Sequence, residues 1–141
     1  MPFNHFFLAF PVFGPNLYRH FSTPRTQPNA RSACLALGSS WDLVSIRSAE
    51  ENSFVHSLTS DPTAIRWIGI VRRSTGSRLF KYLDTGQTIT FSQWNPGTSE
   101  PNNLGGNEDC VQMGHVNFPD QNWNDARCSL SREYVCKSPW G

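Results

Sequence analysis

Apolar positions change period along this chain, and the change divides it into an early helical part and a later strand part. Ala30, Ala33, Cys34 and Leu37 recur at three- and four-residue spacing, which predicts a helix with one apolar face. Pro28 fits such a helix only in its first turn, where a missing N–H costs little, and Gly38 is placed to end it. Ser48-Ala49-Glu50-Glu51 opens a second helix. Ser48 can accept from the Glu51 amide while the Glu51 carboxylate reaches back to the Ser48 amide. Phe54, Val55 and Leu58 supply the buried face of this helix, and Asp61-Pro62 breaks it.

The remaining apolar runs are short and read as strands. Asn16 to Phe21 reads as an edge strand, and Leu43 to Ile46 as a brief strand-like run. Trp67-Ile68-Gly69-Ile70 is continuous and apolar, as expected of a buried strand. Phe80 to Leu83 follows, and Asp84-Thr85-Gly86 turns the chain. Cys110 to Met113, Trp123 and Tyr134-Val135-Cys136 close the sheet. Trp67 and Trp123 read as core, and Trp94 as an anchor beside them. Helices early and strands late give an α+β domain, with no internal repeat. The 141 residues, 38% hydrophobic, are enough for one such domain.

Charge and cysteines narrow the class. The net charge is +1, so nothing pulls the chain strongly to nucleic acid or an anionic membrane. Arg72-Arg73 with Arg78 and Lys81 is the closest approach to a basic cluster, and it reads as a solvated loop. The four cysteines, Cys34, Cys110, Cys128 and Cys136, contain no C-x-x-C pair, which argues against zinc or redox chemistry. Their even number points to two disulfides and an oxidising compartment. Three connectivities are open on sequence grounds. No stretch reaches transmembrane length. Phe6 to Phe10 is apolar, but no basic residue precedes it; it reads as a strand or an artificial start rather than a signal peptide.

Residues 95–109 hold three Gly, two Pro and four Asn, with no apolar periodicity. A long loop of that kind inside a compact domain is usually functional or disordered. Here it carries Glu100-Pro101-Asn102 and Glu108-Asp109-Cys110, and Trp123-Asn124-Asp125 stands just before Cys128. Carboxylates and side-chain amides without His or thiolate suit calcium rather than zinc. The density of such groups favours function over disorder. His5, His20, His56 and His115 lack metal-site spacing and read as surface residues; no nucleophile elbow, phosphate loop or dinucleotide fingerprint occurs. Glu100 and Glu108 as a glycosidase pair is a poor reading, because calcium would hold both ionised and leave no general acid.

Taken together, these landmarks resemble the C-type lectins in their E-P-N form. The order matches from the Ala30–Gly38 segment through Leu43–Glu51, Trp67-Ile68-Gly69, Trp94 and the loop to Tyr134-Val135-Cys136. It covers about residues 15–138, leaving 1–14 as an N-terminal segment that includes a candidate first strand and 139–141 as a tail. Leu17 and Tyr18 stand where longer members carry a cysteine, so this resembles the short form. The resemblance implies an α+β C-type lectin-like fold with two helices, antiparallel sheets and a long calcium-binding loop. It selects the pairs Cys34–Cys136 and Cys110–Cys128, each worth roughly 3 to 5 kcal/mol in the chain-entropy model.

The resemblance also implies a site. Glu100, Asn102, Glu108, Asn124 and Asp125 are the expected calcium ligands, Asp125 also through its backbone carbonyl, with a cis Glu100–Pro101 bond. The same five residues would hydrogen-bond the sugar, and Leu104 would pack on its ring. The E-P-N order implies mannose-type ligands: mannose, N-acetylglucosamine, glucose and fucose. A second calcium site, to which Asn103, Glu108 and Asp109 would contribute, is expected to be weak or empty, because Arg72 and Gly76 occupy the stretch of its upstream acidic ligands. The chain is then expected to be a secreted, extracellular, non-enzymatic binder of glycans on cell or microbial surfaces. Neither nucleic-acid binding nor membrane insertion is expected. Oligomers would help through multivalency, although no coiled-coil segment is present to build one. The rival reading is a domain of the same fold that binds a protein or ice through the same loop.

Overall fold

The computed structural model describes residues 10–139, so nearly all of the Phe6–Phe10 run lies outside the described residues. The strands are β1 (Val12–Phe13), β2 (Asn16–Arg25), β3 (Asp42–Leu43), β4 (Arg66–Arg72), β5 (Phe80–Tyr82), β6 (Cys110–His115), β7 (Phe118–Ala126) and β8 (Arg132–Pro139). The helices are α1 (Gln27–Leu35) and α2 (Ala49–His56). The strands form one connected sheet in the order β1-β2-β8-β4-β6-β7, with β3 on β8 and β5 on β4. All pairs are antiparallel except β4 with β8, which run parallel. This is an α+β fold with a mostly antiparallel sheet.

Local sequence explains both helices. Thr26 caps α1 by accepting from the Asn29 amide, and Pro28 lies in the first turn. Ala30 and Cys34 face inward, as their spacing predicts. Ser48 accepts from the Glu51 amide at 3.1 Å. The Glu51 carboxylate reaches back to the Arg47 amide at 2.8 Å rather than to Ser48. The reason is that Glu51 is buried and serves other partners: its second oxygen accepts from Tyr18 Oη and from Lys137 Nζ at 2.6 Å. One carboxylate thus ties α2 to β2 and β8.

Two strand expectations and one about a histidine need correction. Asn16–Phe21 does not form the edge, because β1 pairs with β2 at Val12↔Leu17 and Phe13↔Asn16. Of the Leu43–Ile46 run, only Leu43 belongs to a strand. Val44 and Ile46 are nevertheless fully buried, and Val44 bonds through its amide to Val135 and through its carbonyl to Gly69. His20 is not a surface residue: it is largely buried and pairs with Glu133 at 2.9 Å.

The crossing of Val44 over β4 explains Gly69. A Cβ there would lie 2.2 Å from the Leu43 carbonyl oxygen and 2.9 Å from that of Val44. No side chain fits, so glycine is what allows the two backbones to approach.

The core has two parts. One gathers Tyr18, Val44, Ile68, Ile70, Tyr82, Met113 and Trp123, with Trp94 packed against it. The other surrounds Trp67, Tyr134 and the Cys34–Cys136 disulfide. The second disulfide, Cys110–Cys128, joins the start of β6 to the segment just after β7. Both pairings are those that the family resemblance implies. The 95–109 loop leaves from Trp94, which bridges to Trp123, and returns at Cys110, so both its ends are anchored beside β7.

Candidate functional site

The loop is shaped by its own amides. Asn95, almost fully buried, donates its amide to the Trp123 carbonyl at 2.9 Å and accepts from the Glu100 amide at 3.2 Å. Its side chain accepts from the Gly97 amide at 2.8 Å. Single helical turns at Pro96–Thr98 and Leu104–Gly106 flank Glu100-Pro101-Asn102. Ser99 and Asn103 adopt left-handed backbone with φ of 55° and 47°, a region that Asn tolerates better than most residues. The Glu100–Pro101 bond is cis.

This shape brings three carboxylates together. One oxygen from each of Glu100, Glu108 and Asp125 lies within 4.8 Å of the others. Asp125, on β7, is fully buried. Its Oδ1 accepts from the Asn102 amide at 3.0 Å, and its Oδ2 from the Asn103 amide at 2.7 Å. Asn102 joins the group through its side chain as well, with Nδ2 donating to Glu100 Oε2 at 3.4 Å. The Leu104 amide donates to Asn102 Oδ1 at 3.2 Å and to Glu108 Oε1 at 3.0 Å. The Leu104 side chain is 71% exposed beside them. Asn124 precedes Asp125 on β7 and is mostly buried. Among the described residues its side chain makes no hydrogen bond to the loop, so it is near the group in sequence without being joined to it.

The electrostatics are those of an anionic pocket that lacks a counter-charge on one side. Glu100 Oε1 is buried without a hydrogen-bond partner among the described residues. Burial, and then the facing Asp125 carboxylate, push the Glu100 carboxyl up to about 7. Burial also holds Glu108 above the usual carboxylate range. A hard divalent cation meets both needs, since calcium takes carboxylate and amide oxygens. The residues present therefore fit calcium.

The sequence reading missed Arg72. Far from lying in a solvated loop, it is 7% exposed. Its Nη2 pairs with Asp125 Oδ2 at 2.7 Å and its Nε with Asp109 Oδ1 at 3.2 Å. The signal was available: Ile68, Ile70 and Arg72 alternate along β4, which puts all three on one face. Arg72 also lines a groove of about 620 Å³ with Arg78, Trp94, Asn102 and Asn103, alongside the carboxylates. No helix among the described residues is long and apolar enough to cross a membrane.

Comparison with known proteins agrees with this architecture. The model of the family "Lectin C-type domain" matches residues 23–138. An alpha-N-acetylgalactosamine-specific lectin of Patiria pectinifera is 37% identical over 131 residues, covering 86% of this chain and 73% of that protein. The C-type carbohydrate-recognition domain of cow CD23, solved in the presence of a GlcNAc2Man3 oligosaccharide, superposes with a TM-score of 0.77 at 31% identity, covering 93% of each chain. Herring type II antifreeze protein superposes with a TM-score of 0.77 at 24% identity, covering 92% of this chain and 95% of that one, a likeness of fold alone. The chain belongs to the C-type lectin domain family.

Proposed function

We propose that this chain is a calcium-dependent lectin for mannose-type glycans, with Glu100, Asn102, Glu108, Asn124 and Asp125 as ligands. The observation that carries the reading is the convergence of three carboxylates on one point, with Glu100 Oε1 buried and unpartnered there. When bound, the ion supplies open coordination positions for two neighbouring sugar hydroxyls. The chain's own part is to orient them. A carboxylate on the metal still accepts from a hydroxyl, and an Asn whose oxygen is engaged still donates through its NH₂. Glu100 and Glu108 accept, while Asn102 and Asn124 donate. Acceptor at 100 and donor at 102 is the E-P-N polarity, which favours an equatorial pair of hydroxyls. Leu104, exposed at the rim, would touch the sugar ring.

No role in catalysis is assigned to the acidic pair, because ion-bound carboxylates provide no general acid. Two disulfides suit an extracellular, secreted protein. The unit that binds is taken as residues 15–138.

The double substitution Glu100→Gln with Asn102→Asp tests the assignment. It leaves the net charge of the site unchanged and keeps an oxygen at each position, but it exchanges donor and acceptor. Each charge-assisted hydrogen bond is worth roughly 1.5–3 kcal/mol, so competition by mannose for an immobilised glycan should weaken about tenfold or more at fixed calcium. Galactose or N-acetylgalactosamine should gain. A variant that still binds calcium and prefers mannose by the original margin would show that these two residues do not set specificity.

A further inference from the structure

We propose that Arg72 is a tethered cation that keeps the ligand loop assembled between calcium-binding events, so that the site works with one ion. Only the ion count rests on the calcium reading; the assembly of the loop does not.

The guanidinium is surrounded by oxygens from three segments. Nη2 donates to Asp125 Oδ2 at 2.7 Å and to the Glu108 carbonyl at 2.8 Å. Nε donates to Asp109 Oδ1 at 3.2 Å, and Nη1 to the Ser77 carbonyl at 2.6 Å. One face of the group lies 4.6 Å from the centre of the Phe80 ring. The Arg72 amide adds a bond to the Asp109 carbonyl at 2.9 Å. A planar fork with several fixed donors can serve these partners together, which a lysine ammonium cannot.

The consequence reaches the loop through Asp125. This carboxylate is fully buried and faces Glu100 and Glu108. A buried carboxylate among others is costly unless it is paired and hydrogen-bonded. Arg72 provides the pair. Asp125 is then held in one orientation, in which it accepts from the Asn102 and Asn103 amides. Asn103 Oδ1 in turn accepts from the Glu108 amide at 3.0 Å. The chain from Arg72 to Asp125 to Asn102, Asn103 and Glu108 is built from protein groups throughout. It also uses the Asp109 carboxylate and the Glu108 carbonyl, which are therefore turned to the guanidinium rather than to a second metal. Arg72 is a positioning residue: it acts on the ligands, not on the sugar.

Amide hydrogen exchange on the full chain tests this. In EDTA, the Asn102 and Asn103 amides of the wild-type protein should remain protected. Arg72→Met keeps an apolar stem over Phe80 but loses the charge; in EDTA it should exchange at these amides about tenfold faster or more, and calcium should restore protection. Arg72→Lys should recover part of it. Calcium titration of the wild type by calorimetry should give one ion per chain. Free exchange of the wild-type amides in EDTA would overturn the proposal, even if the variants fail to fold. Equal protection in Arg72→Met would do so too, because packing on Phe80 would then suffice. So would binding of two ions. A wild-type chain that binds no calcium would refute the calcium reading and the one-ion claim, while protection in EDTA would still decide the claim about the loop.

Discussion

Glu100 carries the tension of the site. Its carboxyl is raised to about 7 by burial and by Asp125, so without metal the folded chain holds a proton that the unfolded chain releases. Stability from that proton is full below the ordinary carboxylate range and is lost as pH rises through about 7. Calcium competes with the same proton. In EDTA, Glu100→Gln should therefore melt with the wild type at pH 5 and above it at pH 8. Calcium affinity of the wild type should weaken as pH falls below 7. A wild-type protein whose calcium affinity is flat between pH 5 and 8 would contradict this. The residues that the structure brings together, Glu100, Asn102, Glu108 and Asp125, were legible because they cluster in two short segments around cysteines. Arg72 was not, because four basic residues between 72 and 81 hide the one that alternation along β4 turns inward.

At the scale of elements, helix starts followed from local chemistry, since Pro28 in the first turn of α1, the Ser48 cap and the apolar spacing of α1 all act within a few residues, whereas α1 ends at Leu35 before Gly38 and α2 at His56 before Asp61-Pro62. The extent of β3 did not, because its pairing depends on β8, which lies about 95 residues further on. Gly69 shows the same limit. Nothing near it in sequence signals that Leu43 and Val44 will cross it, yet their carbonyls leave no room for a methyl group. Gly69→Ala should therefore cost about 3 kcal/mol or more, read as a lowered midpoint in urea. An unchanged midpoint would mean that the Val44 segment is free to move away from β4. The substitution lies in the strand that also carries Arg72, so it should loosen the loop as well.

The molecule as a whole is a sheet with the candidate loop fastened beside β7. Trp94 and Trp123 anchor the loop at its start, Cys110–Cys128 fastens its end, and Arg72 clamps it from β4. The family was legible because landmarks recur in order along nearly the whole chain; the proposed sugar preference rests on two side chains and is correspondingly finer. The most direct test of the account is binding to a glycan array in calcium and again in EDTA. The prediction is retention on mannose-type glycans in calcium, abolished by EDTA and recovered when calcium is returned, with a higher melting temperature in calcium through ligand linkage. Binding that is indifferent to EDTA, or no glycan binding at all in calcium, would contradict it.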